Sequence, residues 1–195
     1  MSGSTPAGFT TPKVKLPGSN EYVDLVPGTV LPPGTTVDLS GGAGIQLTDS
    51  DGKTTVFYGE SGTPSTFTIT GQLFSDRITA GTKAAQPPVE NIKLVGGNFA
   101  ACKTSALRGG AGKTPPPVRR LWGKGKGHYR TQGKYAAATV RGTWWETVDR
   151  CDGTLIVVKQ GKVVVRDLVA KKDHVVTGGH SYLAKAPKAK PKKKP

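Results

Sequence analysis

Residues 152–167, DGTLIVVKQGKVVVRD, read as two short apolar strands set off by turn residues. Asp152-Gly153 tolerates the positive φ that a tight hairpin requires, and Gly161 divides TLIVVK from KVVVRDL as a second turn. Val157, Val163 and Val165, with their neighbours, alternate as in a sheet with one buried face. Outward from this stretch the pattern persists. Toward the C-terminus it continues through DHVVTGGHSYLA, and toward the N-terminus through YAAATVRGTWWETV. Earlier come KVKLPG, EYVDLVPG, TTVDLSGG, GIQLTDSDGKTTVFYG, STFTITG and ENIKLVGG, with Asp51-Gly52 at another hairpin position. The 27 glycines and 15 prolines punctuate the chain, and no run of a dozen residues spaces its apolar positions three and four apart. An all-β chain follows, and 195 residues suffice for one domain with a real core.

The two β regions share a layout. Thr36-Val37, Asp51-Gly52, Gly59 and Gly96-Gly97 in the first match Thr139-Val140, Asp152-Gly153, Gly161 and Gly178-Gly179 in the second, which suggests two related halves. The expected organisation is a flexible N-terminal segment at 1–12, a first β half at 13–100, a Gly/Pro-rich basic connector at 101–134, a second β half at 135–184, and a disordered Lys/Ala/Pro tail at 185–195.

Charge is unevenly distributed. Of the net +15, residues 1–99 contribute −2, residues 100–141 contribute +10 without one acidic residue, residues 142–184 contribute +1, and the tail KAPKAKPKKKP contributes +6. Basicity therefore sits in one internal segment and one tail. No apolar stretch approaches the length of a membrane-spanning helix, and the start, MSGSTPAGFTTPK, lacks the basic and apolar regions of a signal peptide.

Cys102 and Cys151 lie in polar surroundings, AACKTS and VDRCDGT, and are read as a disulfide. The competing reading is two free thiols in a reducing compartment. No second pair at short spacing completes a zinc site.

The run ATVRGTWWETV, DGTLIVVKQGKVVVRD and VVTGGHSYLA resembles the C-terminal half of the FecR domain. The likeness is carried by Gly142-Thr143-Trp144, by Gly161-Lys162-Val163-Val164-Val165 and by Gly179. With RRLWGKGKG and DRCDGT, the chain is similar to the exported actinobacterial form of that domain. The resemblance is strong over 119–184 and looser from 13 to 100. It implies an exported, β-rich, non-catalytic module, folded as a compact β sandwich or short β-solenoid. The best-known members couple an outer-membrane receptor to an anti-sigma element. This chain carries neither a transmembrane helix nor an anti-sigma segment, so that role does not transfer to it.

Catalysis finds little support. His128, His174 and His180 have no carboxylate or nucleophile at a telling spacing, and Glu146, Asp149, Asp152 and Asp167 include no pair marked out for acid–base work. Asp49 and Asp51 lack the later ligands of a calcium loop. The GKT of Gly112-Lys113-Thr114 lacks the glycine a phosphate loop needs at Leu107 and is followed by three prolines. No cofactor or metal is expected. Trp144 and Trp145 should point to opposite faces of a strand, one into the core and one to the surface.

The sharpest binding signal is PPPVRRLWGKGKGHYRTQGKY. Arg119, Arg120, Lys124, Lys126, Arg130 and Lys134 interleave with Trp122 and Tyr129, the mixture of cations and rings that polyanion grooves use. The opposing reading pins Trp122 and Tyr129 to the core and leaves the cations solvated. Expected partners are an envelope protein or acidic cell-wall polymer, with nucleic acid as the alternative. The expected location is secreted or at the cell envelope.

Overall fold

The computed structural model describes residues 1–73, 88–103 and 114–187. The Lys-rich tail from 188 onward, and Gly112 and Lys113 of the GKT sequence, lie outside these residues. Among the described residues all regular structure except a 3₁₀ turn at Phe99–Lys103 is β, as the sequence predicts. In chain order the strands are β1 Ser2–Ser4, β2 Lys13–Lys15, β3 Val23–Asp24, β4 Thr29–Val30, β5 Thr36–Asp38, β6 Gly44–Thr48, β7 Thr54–Tyr58, β8 Thr66–Leu73, β9 Val89–Val95, β10 Pro117–Gln132, β11 Ala136–Arg150, β12 Gly153–Gln160, β13 Lys162–Asp167, β14 Lys172–Thr177 and β15 Ser181–Lys185.

All of them belong to one curled, open sheet whose axis is the long antiparallel pair β10–β11. The N-terminal part of β10 pairs with β7 through Trp122–Gly125, whereas its C-terminal part pairs in parallel with β9 through Tyr129–Gln132. On the far edge, β11 pairs with β12 over Trp144–Arg150 and with β13 over Ala136–Val140. The sheet thus forks into two wings. One continues through β7, β6, β1 and β4 and, on the other side, β12 and β15. The second continues through β9, β8, β5, β2 and β3 and, on the other side, β13 and β14.

The wings meet along a crease marked by glycine in every strand it crosses. β10 slips register between Gly125 and His128, β11 turns through Gly142 at φ 65°, and the chain passes from β12 to β13 through Gly161 at φ 88°. These positive φ values are strained for any residue with a Cβ. Gly161 therefore does not reverse the chain, as the sequence suggests. It bends one long partner of β11, because β12 and β13 pair with successive stretches of the same strand. Neither wing is built from one sequence half, since each takes strands from both regions, and the segment read as a connector supplies β10, the strand they share. The expected N-terminal lead-in is also partly structural. Gly3 of β1 pairs with both Thr29 and Leu47, and a Cβ there would meet Leu31 and Ile45 at about 3 Å.

The wings enclose one hydrophobic core. Phe57 of the first wing lies 5.8 Å from Phe67 of the second, and Tyr129 and Trp145 approach Phe57 edge-on at 5.0 and 5.8 Å. All four are fully buried. Val163 and Val165 face this core as their alternation predicts, while Val164 remains exposed. In β12 the buried pair is Ile156 and Val158, with Val157 only half-buried. The Asp51-Gly52 hairpin stands between β6 and β7, where Asp49 Oδ1 accepts from the amides of Asp51 and Lys53.

Candidate functional site: a cation and tryptophan shelf on the outer face

Side chains alternate along β10, and this alternation sorts the residues predicted to bind polyanions. Tyr129 points inward, is fully buried, and its hydroxyl has no hydrogen-bond partner. Burial first, then Asp49 and Glu90, push that phenol far above its ordinary value. Arg119 is also buried: its Nε donates to Asp149 Oδ2 at 2.7 Å, one terminal nitrogen donates to Gly96 O at 3.0 Å, and the guanidinium lies 5.0 Å from the Phe99 ring centre. Asp149, itself fully buried, further accepts from the Lys134 amide at 2.8 and 3.0 Å and from the Thr154 hydroxyl. This network anchors β10 to β11 beside the bond between Cys102 and Cys151, which joins the 3₁₀ turn to the end of β11 with Cα atoms 5.2 Å apart.

Arg120 faces outward but is committed to Glu146 at 2.6 Å and to Glu60. Burial raises the Glu146 pKa, and the Arg120 charge and hydrogen bond act against it. Trp122 is nearly buried. Its indole N–H donates to Glu60 at 2.7 Å, and its ring stacks on Tyr58, with 5.9 Å between centres and 4° between planes. Arg130 is half-buried, donating to Asn91 and Gln132 at 3.0 and 3.1 Å. Lys134 is exposed but folds over Phe99, 4.0 Å from its centre. Five of the eight predicted residues, Arg119, Arg120, Trp122, Tyr129 and Arg130, thus have structural partners or core positions, and Lys134 shares the Phe99 ring with Arg119.

Lys124 and Lys126 remain. Both are exposed, and no ion pair among the described residues involves either. With Gly125, Thr143, Trp144 and Gln160 they line an open depression of about 300 Å³ at the crease. Trp144 lies directly across the ladder from Lys124 on one side and Gln160 on the other. The Lys124 ammonium sits 4.8 Å from its ring centre. An aromatic ladder supports this floor: the Trp144 indole donates to the Tyr58 hydroxyl at 3.0 Å, Trp122 lies 6.1 Å away, and Lys159 approaches the Trp122 ring at 6.0 Å. Trp145 is the core member of the tryptophan pair and donates to Thr131 at 3.0 Å.

Among the described residues no carboxylate lines the shelf. Two exposed ammonium groups lining one depression, that of Lys124 over a flat indole, provide charge for an anion and a face for an apolar ring or sugar. The sequence marks Lys124 and Lys126 but not Trp144, Thr143 and Gln160 as their companions. That grouping depends on cross-strand register, which brings together positions 20 and 36 residues apart from Lys124.

Elsewhere, His174 Nε2 and Asp167 share the Tyr182 hydroxyl at 2.9 Å each, which ties β14 to the ends of β13 and β15. Among the described residues no group of three or more His, Cys, Asp and Glu is placed to hold a metal, and no helix is long and apolar enough to cross a membrane. Comparison with known proteins finds no matching family model, no matching curated protein and no matching solved structure.

Proposed function

We propose that this chain is an exported, non-enzymatic, FecR-like β module that binds an acidic polymer of the cell envelope across the Lys124–Lys126–Trp144 shelf. One observation carries the proposal: Lys124 and Lys126, exposed and in no ion pair among the described residues, line one depression with Trp144, and no acidic residue is among its described lining residues. The disulfide suits an oxidising compartment. Gly142, one of the positions that carry the FecR-like resemblance, is also a lining residue of the shelf, which supports this reading. Nucleic acid is the second reading, favoured by the combination of a cation and a ring at Lys124 and Trp144.

Titrating the full chain with poly(glycerol phosphate), with duplex DNA of equal charge and with neutral dextran separates these readings. Binding to poly(glycerol phosphate) should weaken linearly in log salt, as counterion release requires. The double variant Lys124→Ala/Lys126→Ala should weaken it by about thirtyfold, at about 1 kcal/mol per lysine near an anionic surface. Tighter binding of DNA than of the wall-type polymer would transfer the proposal to nucleic acid. Unchanged affinity in the double variant, with loss of binding on deletion of residues 188–195, would assign the interaction to tail charge and overturn the shelf.

A further inference from the structure

Beyond the crease, on the second wing, lies another cleft of about 300 Å³. Its floor crosses four adjacent strands, with Val89 from β9, His128 from β10, Thr139 and Arg141 from β11, and Lys162 and Val164 from β13. His128 pairs with Arg141 and Thr139 with Val164 across the ladders, so these side chains share the outer face. Val89 and Val164 give the cleft an apolar side. Arg141 and Lys162 are exposed cations, and neither enters an ion pair among the described residues.

His128 distinguishes this cleft from an ordinary surface groove. Its side chain is only 6% exposed, yet Nε2 has no hydrogen-bond partner. Nδ1 lies 3.9 Å from Asp51 Oδ2, beyond hydrogen-bond reach, and the backbone amide of His128 donates to Asp49 at 3.4 Å. Buried polar atoms in native proteins are nearly always partnered, so an unpartnered one on a residue that lines a cleft points to a group from outside. Burial, then Lys53 and Arg141, hold the imidazole below its ordinary pKa of 6.5, with Asp49 and Asp51 opposing. The ring is therefore neutral at pH 7, with one nitrogen to donate and one to accept. A small, mostly apolar pocket with a few convergent polar groups is the usual form of a small-molecule site.

We propose that this cleft binds a small amphipathic monoanion, its apolar body against Val89 and Val164, its carboxylate or sulfonate between Arg141 and Lys162, and a polar atom within reach of His128 Nε2. This site does not depend on polymer binding at the shelf, with which it shares no residue.

The test uses the full chain and 1-anilinonaphthalene-8-sulfonate as probe, with octanoate as competitor. A saturable, single-site rise in fluorescence that octanoate reverses is expected. Arg141→Ala should weaken the probe about fivefold, the share of one exposed ion pair. Val164→Trp, at a position already 43% exposed, should fill the cleft and abolish binding while thermal unfolding stays cooperative. Lys124→Ala/Lys126→Ala should leave probe affinity unchanged, which separates this site from the shelf. Absence of saturable binding, or equal affinity in wild type, Arg141→Ala and Val164→Trp, would overturn the proposal. If Val164→Trp does not fold, Arg141→Ala and the competition by octanoate decide alone.

Discussion

Two buried residues of the β10–β11 pair, Tyr129 and Asp149, should respond to substitution with opposite signs. The Tyr129 hydroxyl is buried with no partner, so Tyr129→Phe removes an unsatisfied group and keeps the ring against Phe57. Its urea midpoint should rise, by an amount equivalent to about 1 kcal/mol. Asp149 instead accepts from Arg119, Lys134 and Thr154, and Asp149→Ala would leave the Arg119 guanidinium buried without its carboxylate. The expected cost is about 3 to 5 kcal/mol in the same unfolding experiment. His128 adds a pH dependence. Its folded pKa lies below the unfolded 6.5, so the unfolded chain binds the extra proton, and the stability contribution present above 6.5 is lost as pH falls through the folded value. Urea midpoints at pH 7.5 and 5.5 should therefore converge in His128→Gln relative to wild type. A pH response as steep in the variant would assign it to other groups. At this scale the sequence shows that Trp144 and Trp145 face opposite ways but not which faces inward, because alternation fixes the difference between neighbours and not the direction of either. Phe57 and Thr131, which meet Trp145 on the inner face, come from other strands.

Among the elements, β10 is where sequence and structure part most. Its three glycines and five cations within 117–132 read as a basic connector, yet the segment is the longest strand among the described residues, paired along both edges. Its glycines serve close approach: a Cβ on Gly125 would come within 2.4 Å of Thr55 Cα and 2.5 Å of Thr54 O on β7. Gly125→Ala should therefore push β7 away and destabilise the fold by about 2 kcal/mol. Amide exchange should report it, with protection falling at residues 54–58 before it falls at 162–167 in β13, and an unchanged profile would contradict the role given to the crease. The Asp51-Gly52 hairpin was legible because its signal is local, a five-residue loop at 49–53 between strands that pair with each other. Gly161 was misleading because a glycine that reverses a chain and one that bends it leave the same mark. Only the pairing of β12 and β13 with successive parts of β11 distinguishes them.

For the whole molecule, composition and punctuation were enough to give the all-β class, and the polar settings of the two cysteines gave their bond. The organisation of the wings was not legible, since the parallel pairing of β9 with β10 and the fork around β10–β11 are long-range contacts. The bond between Cys102 and Cys151, 49 positions apart, closes a loop that contains all of β10 and β11. Chain entropy puts its stabilisation at about 4 kcal/mol, so Cys102→Ser/Cys151→Ser should lower the urea midpoint correspondingly, and a loss below 1 kcal/mol would show that the Arg119–Asp149 network holds this region unaided. Net charge was legible as a total, but its availability was not: Arg119, Arg120 and Arg130 are consumed internally, and Lys124 and Lys126 are left at the crease. The most direct measurement is amide chemical-shift mapping of the full chain titrated with a short poly(glycerol phosphate) at physiological salt. Shifts concentrated at Lys124–Lys126, Thr143–Trp144 with its indole N–H, and Lys159–Gln160 are expected. Shifts confined to residues 185–195, or spread evenly over every exposed lysine, would contradict a binding shelf at the crease.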